Sequence, residues 1–290
     1  MVAGSVNDLS RCRSHNPEAW PGPERRGGPA WSFEIGDGPV VASAIHSGHD
    51  VRPDVAEWME ISDSDRLREE DPLTGFWTSV GDSSIQVYRS RFEMDLNRPR
   101  EKAIAIDPRD CWGRNVWRER PPRRVVEQSL AQYDRFYQEV AALLDGLLER
   151  WKSILVLDLH SYNYRRGGPG TAGDSMVGNP EINVGTGTMD RAFWAALVDT
   201  FAAALRRQQF RKRALDVREN VKFMGGHFPG WLHTRYPRRV CVLSLEFKKF
   251  FMDEWRATAN IHALEELRIA LRNATSAARS ELTRQGGPAR

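Results

Sequence analysis

The chain has 290 residues, of which 40% are hydrophobic and 28% are charged, and its formal net charge is +3. A chain of this length can bury a substantial core, as expected of one α/β domain. The small net charge and the scattered arginines argue against a nucleic-acid-binding protein, which would carry a concentrated basic stripe.

Cysteine content and hydropathy indicate the cellular environment of the protein. The sequence has three cysteines and no CxxC pair, which argues against a disulfide framework and predicts a reducing, cytoplasmic environment. No apolar run approaches the roughly 20 residues of a membrane span, so we expect no membrane partner. Residues 1–30 are rich in Pro, Gly and Arg, and we interpret them as a flexible extension before a single domain at 31–290.

The first half of the chain predicts short strands and helices in alternation. An apolar run at 39–45 predicts a buried strand. Helices are expected at 54–59 and 63–70, where the second ends at an Asp-Pro step. Two further strands are predicted at 84–88 and 91–96 from alternating apolar residues.

The second half begins with a long amphipathic helix at 125–151, which leads directly into a buried strand. The remaining predicted elements are a strand at 153–158, a Gly-rich loop at 165–187, a helix at 192–210, a strand at 240–245 and a closing helix at 262–282. This alternation predicts a three-layer α/β/α fold with a mixed central sheet, whose site lies at the carboxyl ends of the strands.

Two histidines stand in equivalent positions. His46 and His160 each follow an apolar segment typical of a buried strand, and each is followed by serine. If both strands are parallel, their ends meet at one edge of the sheet, and the imidazoles can bind one metal ion. Imidazole and carboxylate ligands suit Zn²⁺, which usually keeps three protein ligands at a catalytic site. The alternative is that each histidine is simply hydrogen-bonded at a strand end.

The third metal ligand is less sharply defined by the sequence. Asp71 lies at the predicted helix end, where a carboxylate can turn back towards the histidines. Glu69, Glu70 and His49 are alternatives. Asp158 precedes His160 by two positions, and we predict that its carboxylate orients that imidazole.

Glu246 follows a wholly apolar strand and is the candidate general base and acid. A carboxylate beside a metal-bound water can take its proton and pass it to the departing amine. The alternative role is an ion pair with Lys248 or Lys249.

Arginines supply candidates for binding a substrate anion. Arg98, with Asn97, offers a planar fork and an amide suited to a carboxylate, and Arg91 can polarise the scissile carbonyl. Gly225 and Gly226 introduce a segment that includes Arg235, which we predict to be a flexible, donor-rich loop near the substrate.

In their order, these motifs resemble those of the N-formylglutamate amidohydrolases, or N-formylglutamate deformylases. The family is distantly similar to zinc carboxypeptidases and aspartoacylases. The matching runs lie between residues 38 and 256 and are Ile45–Gly48, Phe92–Arg98, Leu157–Ser161, Asn183–Thr186, Phe223–Gly226, Thr234–Tyr236, Leu245–Phe247 and Met252–Glu254.

The resemblance implies a phosphorylase/hydrolase-like fold and a metal held by His46, His160 and an acidic residue around Asp71, with Glu246 as base. It also implies that Asn97 and Arg98 bind a substrate carboxylate, since aspartoacylases carry a similar Asp-Leu-Asn-Arg run. The implied reaction is hydrolysis of N-formyl-L-glutamate, a small N-acyl amino acid, to formate and glutamate.

Some positions depart from the family pattern. They include His49 and Asp50 after the first histidine and the segment 162–166 after the second. The departures suggest a different N-acyl amino acid or a short peptide as substrate. Two other functions remain as alternatives: a zinc peptidase or peptidoglycan-type amidase acting on a larger substrate, and a non-catalytic protein that binds an acidic ligand.

Overall fold

The computed structural model describes residues 28–285. The predicted extension at 1–30 therefore lies, up to residue 27, outside the described residues. Within 28–285 no helix combines the length and the apolar composition needed to cross a bilayer.

The described range alternates between strands and helices, as the sequence predicts. Its helices are α1 (Pro53–Ala56), α2 (Asp63–Glu69), α3 (Arg123–Arg150), α4 (Ala195–Arg206), α5 (His227–Arg235) and α6 (Ile261–Gln285). Its strands are β1 (Trp31–Glu34), β2 (Val40–Ala44), β3 (Ser83–Val87), β4 (Ile154–Tyr162), β5 (Ile182–Gly185), β6 (Gln209–Phe210), β7 (Arg213–Ala214), β8 (Val217–Glu219), β9 (Val240–Lys248), β10 (Met252–Asp253) and β11 (Thr258–Ala259). Short 3₁₀ helices cover Thr74–Val80, Arg100–Lys102 and Pro108–Cys111.

The central sheet has seven strands in the order β1-β3-β2-β4-β9-β5-β8. Strands β3, β2, β4 and β9 are mutually parallel. Strand β1 is antiparallel to β3, and β5 is antiparallel to β9, while β8 runs parallel to β5. The sheet is therefore mixed, as predicted, and its parallel centre brings the carboxyl ends of β2, β4 and β9 to one edge.

Helices cover both faces of the sheet. On one face, Phe136 of α3 and Phe228 of α5 pack in a cluster with Val156 of β4. On the other face, Phe201 of α4 and Leu267 of α6 pack against alternate residues of the same strands. Because successive residues of a strand point to opposite faces, strands buried on both sides contain long apolar runs. The three-layer α/β/α prediction is confirmed.

The strand predicted at 91–96 is wrong. The backbone turns there instead, because the Phe92 N–H donates to Ser90 Oγ at 3.2 Å and the Glu93 N–H donates to the Ser90 carbonyl at 3.0 Å. Apolar and charged residues alternate at 91–96, which suggested a strand, but the intervening Glu93 and Asp95 are also buried. These two carboxylates face partners inside the protein and not solvent.

Two predicted loops are also partly wrong. Strand β5 falls inside the predicted loop 165–187, and it was missed because Asn183 and Gly185 disfavour strands in isolation. The segment after Gly226 is the helix α5 and not a loop. In addition, β4 and β9 run past their predicted ends, so that His160 and Glu246 lie within strands and not just beyond them.

Candidate active site

The candidate site lies at the carboxyl-end edge of the three central parallel strands. His46 follows β2 by two residues, His160 lies in β4, and Glu246 lies in β9. His160 and Glu246 are register partners on neighbouring strands. Register partners project their side chains from the same face of the sheet. Since paired strands lie about 4.8 Å apart, these two side chains occupy one small volume.

His46, Asp71 and His160 form one buried group, whose candidate ligand atoms all lie within 4.8 Å of one another. The Asp71 Oδ2 atom is 2.9 Å from Nδ1 of His160 and 3.5 Å from Nδ1 of His46. The residues that the sequence offered as alternative ligands are paired with other side chains. Glu70 accepts hydrogen bonds from His49 Nδ1 and Ser90 Oγ, and Glu69 pairs with Arg68 and Arg114.

The donor atoms of this group suit a divalent metal ion. Nδ1 of His46 is buried and makes no hydrogen bond within the described part of the chain. Each imidazole places its other nitrogen beside a carboxylate: Nε2 of His46 lies 2.8 Å from Asp95 Oδ1, and Nε2 of His160 lies 3.0 Å from Asp158 Oδ2. Metal-binding histidines have this arrangement, because the carboxylate fixes the tautomer and leaves the other nitrogen free for the metal.

Charge is concentrated in the group. Burial acts to raise the pKa of Asp71, but the neighbouring imidazoles of His160 and His46 outweigh it and hold that pKa below its usual value. Burial acts to lower the pKa of His160, yet the Asp158 and Asp71 carboxylates raise it well above its usual value. The carboxylates of Asp71, Asp95 and Asp158 around the two imidazoles therefore favour a positive charge at this position, as a divalent ion would supply.

Glu246 is not paired with either lysine. Among residues 28–285 its carboxylate has no ion pair or hydrogen bond, although the side chain is only partly exposed and lines the cavity described below. Burial, with the nearby carboxylates of Asp71 and Asp158, raises its pKa to about 7, against the opposing effects of His160 and Arg91. A carboxyl group with such a pKa can both accept and donate a proton near neutral pH.

Asp95 connects the first histidine to the predicted anion-binding residues. Its carboxylate accepts hydrogen bonds from Arg91 Nη2 at 2.8 Å and from the Asn97 backbone N–H at 2.9 Å, and it also faces His46 Nε2 at 2.8 Å. Arg98 Nε lies 3.3 Å from the same carboxylate. Four groups therefore contact the single buried carboxylate of Asp95. The sequence analysis contained Asp95 only as a member of the Asp-Leu-Asn-Arg run and assigned it no role.

A cavity of about 340 Å³ opens beside the group. It is lined by His46, Glu69, Asp71, Arg91, Asn97, Trp112, His160, Ser161, Tyr162, Asn163, Arg166, Lys222, Phe223, Met224, Gly225, Gly226, Glu246 and Lys249. Arg91 reaches the cavity with its guanidinium 5.2 Å from the Trp112 ring. Gly225 has a φ of +113°, a conformation that only glycine adopts easily, and this lets the backbone form part of the wall.

Two predicted substrate-binding residues lie outside this lining. Arg98 is engaged by Asp95, and Arg235 lies on α5, where it pairs with Asp145 at 3.6 Å and Tyr236 OH at 3.0 Å. Two further cations of the cavity lining, Arg166 and Lys222, were not among the site residues predicted from the sequence. Arg166 belongs to the segment 162–166, which already departs from the family pattern, whereas Lys222 stood in no recognisable motif.

Taken together, the fold and the site define an α/β protein with a candidate divalent-metal centre at the carboxyl ends of its parallel strands. The chain belongs to the N-formylglutamate amidohydrolase family, whose model matches residues 38–252.

Solved structures share the fold. The N-formylglutamate amidohydrolase from Ralstonia eutropha JMP134 superposes with a TM-score of 0.68 at 17% identity, covering 88% of this chain and 99% of its own. A gene product from Agrobacterium tumefaciens superposes with a TM-score of 0.62, also at 17% identity, covering 88% and 96% respectively. No curated protein matches the chain.

Proposed function

We propose that the protein is a metal-dependent amidohydrolase that hydrolyses the amide bond of an N-formyl or N-acyl amino acid, with N-formyl-L-glutamate as the first candidate substrate. The observation that carries this proposal is the convergence of His46, Asp71 and His160 inside one cavity, beside the carboxylate of Glu246, which has no partner among residues 28–285. The family to which the chain belongs, and the name of its Ralstonia neighbour, support the same reaction.

His46, Asp71 and His160 would hold the ion through two imidazole nitrogens and one carboxylate oxygen, a ligand set typical of catalytic zinc. When bound, a divalent ion such as Zn²⁺ lowers the pKa of water towards neutrality and polarises an acyl oxygen. Asp95 and Asp158 keep the two imidazoles oriented, because their carboxylates lie 2.8 Å from Nε2 of His46 and 3.0 Å from Nε2 of His160, respectively.

Glu246 moves the protons of the reaction. Its carboxylate accepts a proton from the attacking water as the water oxygen bonds to the acyl carbon. It then gives that proton to the nitrogen as the carbon–nitrogen bond breaks, which releases the carboxylic acid product and the free amine. Arg91 donates hydrogen bonds to the acyl oxygen as negative charge develops there, an effect worth about 3–4 kcal/mol for one well-placed donor in other enzymes.

The cavity wall carries positive charge for an anionic substrate. Arg166 is exposed and has no ion pair within the described residues, and Lys222 lies beside it. With Asn97, these cations take over the carboxylate-binding role that the sequence assigned to Arg98 and Arg235. We therefore propose that they bind the carboxylates of an acidic N-acyl amino acid.

The cavity volume bears on the alternatives. About 340 Å³ is near the lower end of the range for small-molecule sites, roughly 300–1,000 Å³. This volume favours a single amino-acid substrate over the longer substrate of a peptidase or peptidoglycan-type amidase.

We also propose a cytoplasmic, reducing environment for the protein. Cys111 and Cys241 are buried free thiols, which supports this proposal.

The test combines metal content with product formation. Purified wild-type protein, H46A and E246Q are loaded with Zn²⁺, analysed for bound zinc, and assayed for formate release from N-formyl-L-glutamate. We expect about one zinc in the wild type and in E246Q, but turnover only in the wild type, and neither zinc nor turnover in H46A. Formate release by metal-free H46A would overturn the metal-dependent mechanism. Zinc binding without formate release would exclude this substrate and direct the assay to other N-acyl amino acids and peptides.

A further inference from the structure

Lys249 is a buried cation that the proposed reaction leaves without a role. It follows β9 directly, and 1% of its surface is exposed. Its ammonium donates to the Arg68 carbonyl at 2.6 Å, the Glu70 carbonyl at 2.7 Å and the Asn163 Oδ1 atom at 2.9 Å. An ammonium group has three donors, so all three are used within the protein and none is left for a substrate.

The three acceptors come from two segments that carry candidate metal ligands. The Arg68 and Glu70 carbonyls lie at the end of α2, immediately before Asp71. Asn163 comes directly after β4, three residues beyond His160. One ammonium therefore ties the backbone that presents Asp71 to the strand end that presents His160.

The cost of this arrangement indicates that it serves more than packing. Removing an ammonium from water is strongly unfavourable, and only a well-formed set of acceptors and neighbouring negative charges compensates for it. Carboxyl ends of helices favour such a cation, because their last carbonyls have no partner within the helix. An uncharged side chain would fill the same space without this cost, but it would not bind both segments.

We propose that Lys249 is a positioning residue that sets the separation between Asp71 and His160 and thereby the metal affinity of the group. This inference rests on the proposed function in one respect, namely that His46, Asp71 and His160 bind a divalent ion. Lys249 itself acts through the backbone and makes no hydrogen bond to a ligand side chain.

The test measures metal binding directly, with Co²⁺ as the probe. Wild-type protein and K249M are titrated with Co²⁺ in the presence of a competing chelator, and the visible absorption of the bound ion is recorded. We expect K249M to bind Co²⁺ about 10- to 100-fold more weakly, as for other residues that orient metal ligands, with an altered spectrum because the ligands are displaced. The matched control is K248M, since the neighbouring Lys248 is also buried, with 5% of its surface exposed, and its ammonium makes none of these three hydrogen bonds. The Co²⁺ affinity and spectrum of K248M should equal those of the wild type.

A milder variant keeps the inference testable if K249M does not fold. N163A removes one of the three acceptors and leaves the lysine in place, and it should weaken Co²⁺ binding in the same direction by a smaller factor. Unchanged Co²⁺ affinity and spectrum in folded K249M, or in N163A where K249M is unfolded, would overturn the positioning role while leaving the metal site intact. Wild-type protein that binds no Co²⁺ would overturn the metal site itself, and this inference with it.

Discussion

The Asp95 carboxylate lies 2.8 Å from Nε2 of His46 and also holds Arg91 at 2.8 Å. A single buried side chain thus fixes a candidate metal ligand and the arginine that faces the acyl oxygen in the proposed mechanism. Burial acts to raise the pKa of Asp95, but Arg91 and His46 outweigh it and keep that pKa well below its usual value. The Asp95 carboxylate is therefore ionised at neutral pH.

Replacing Asp95 with asparagine should weaken metal binding without removing a ligand. A neutral amide orients the imidazole of His46 less strongly, so we expect D95N to lose about 10- to 100-fold in Zn²⁺ affinity, measured by competition with a chelator. The control is D134N, which breaks the exposed Arg100–Asp134 pair and should leave the affinity unchanged. Equal affinities in D95N and the wild type would show that Asp95 does not support the site.

Arg166 should distinguish substrates by their side-chain charge. An exposed ion pair contributes up to about 1 kcal/mol, so R166Q should raise KM for N-formyl-L-glutamate by roughly two- to fivefold. The effect should shrink at high salt, and it should be absent for N-formyl-L-norleucine, which lacks the side-chain carboxylate. R207Q, at an exposed position just after α4, is the control variant. An equal rise in KM for both substrates would contradict the charge-recognition role.

Gly226 should not tolerate a side chain. A Cβ atom there would lie 2.2 Å from Oδ1 of Asn97, an atom that accepts from the Phe228 N–H at 3.0 Å. G226A must displace Asn97 from the cavity wall, and a displacement of about 1 Å can lower kcat/KM by roughly a hundredfold. G230A is the matched control, since its Cβ would meet only Thr188, at 3.7 Å. Placed inside helix α5, it should stabilise the fold by up to about 1 kcal/mol. Steady-state kinetics measure the effect of G226A on kcat/KM, and urea unfolding measures the effect of G230A on stability. Wild-type kinetics in G226A would contradict the expected loss of kcat/KM.

His233 should make stability depend on pH. The Val242 N–H donates to its Nε2 at 3.0 Å, and its Nδ1 lies 2.9 Å from Thr188 Oγ1, so the ring is held neutral. Burial lowers its pKa from 6.5 to about 4. Since the unfolded chain takes up a proton first, this contribution is complete above pH 6.5 and is lost as the pH falls from 6.5 to 4, by up to about 3 kcal/mol.

The measurement compares variants across that range. Unfolding free energies are determined by urea titration at several pH values for the wild type, H233Q and the exposed-site control H262Q. The wild type and H262Q should lose more stability than H233Q between pH 6.5 and 4. Parallel curves for all three proteins would contradict the prediction.

Local sequence patterns are sufficient to predict the central layers of the fold and much of the site. Strands β2, β4 and β9 are buried on both faces, so their continuous apolar runs could be recognised without the structure. Since such strands are parallel and end at one edge, His46, His160 and Glu246 could be predicted to meet there. The amphipathic period of α3 fixed its position in the same way.

The other side chains of the site could be assigned only from the three-dimensional packing of the chain. Asp71, Glu70 and Glu69 are adjacent acidic residues, and no local pattern distinguishes the one that faces the histidines from those that pair with His49 or Arg114. Such choices depend on contacts between distant segments, as do the bonds of Lys249 to α2 and the engagement of Arg98 by Asp95. Periodicity reports which face of an element is buried, but the partner of a buried charge is set by the packing of the whole chain.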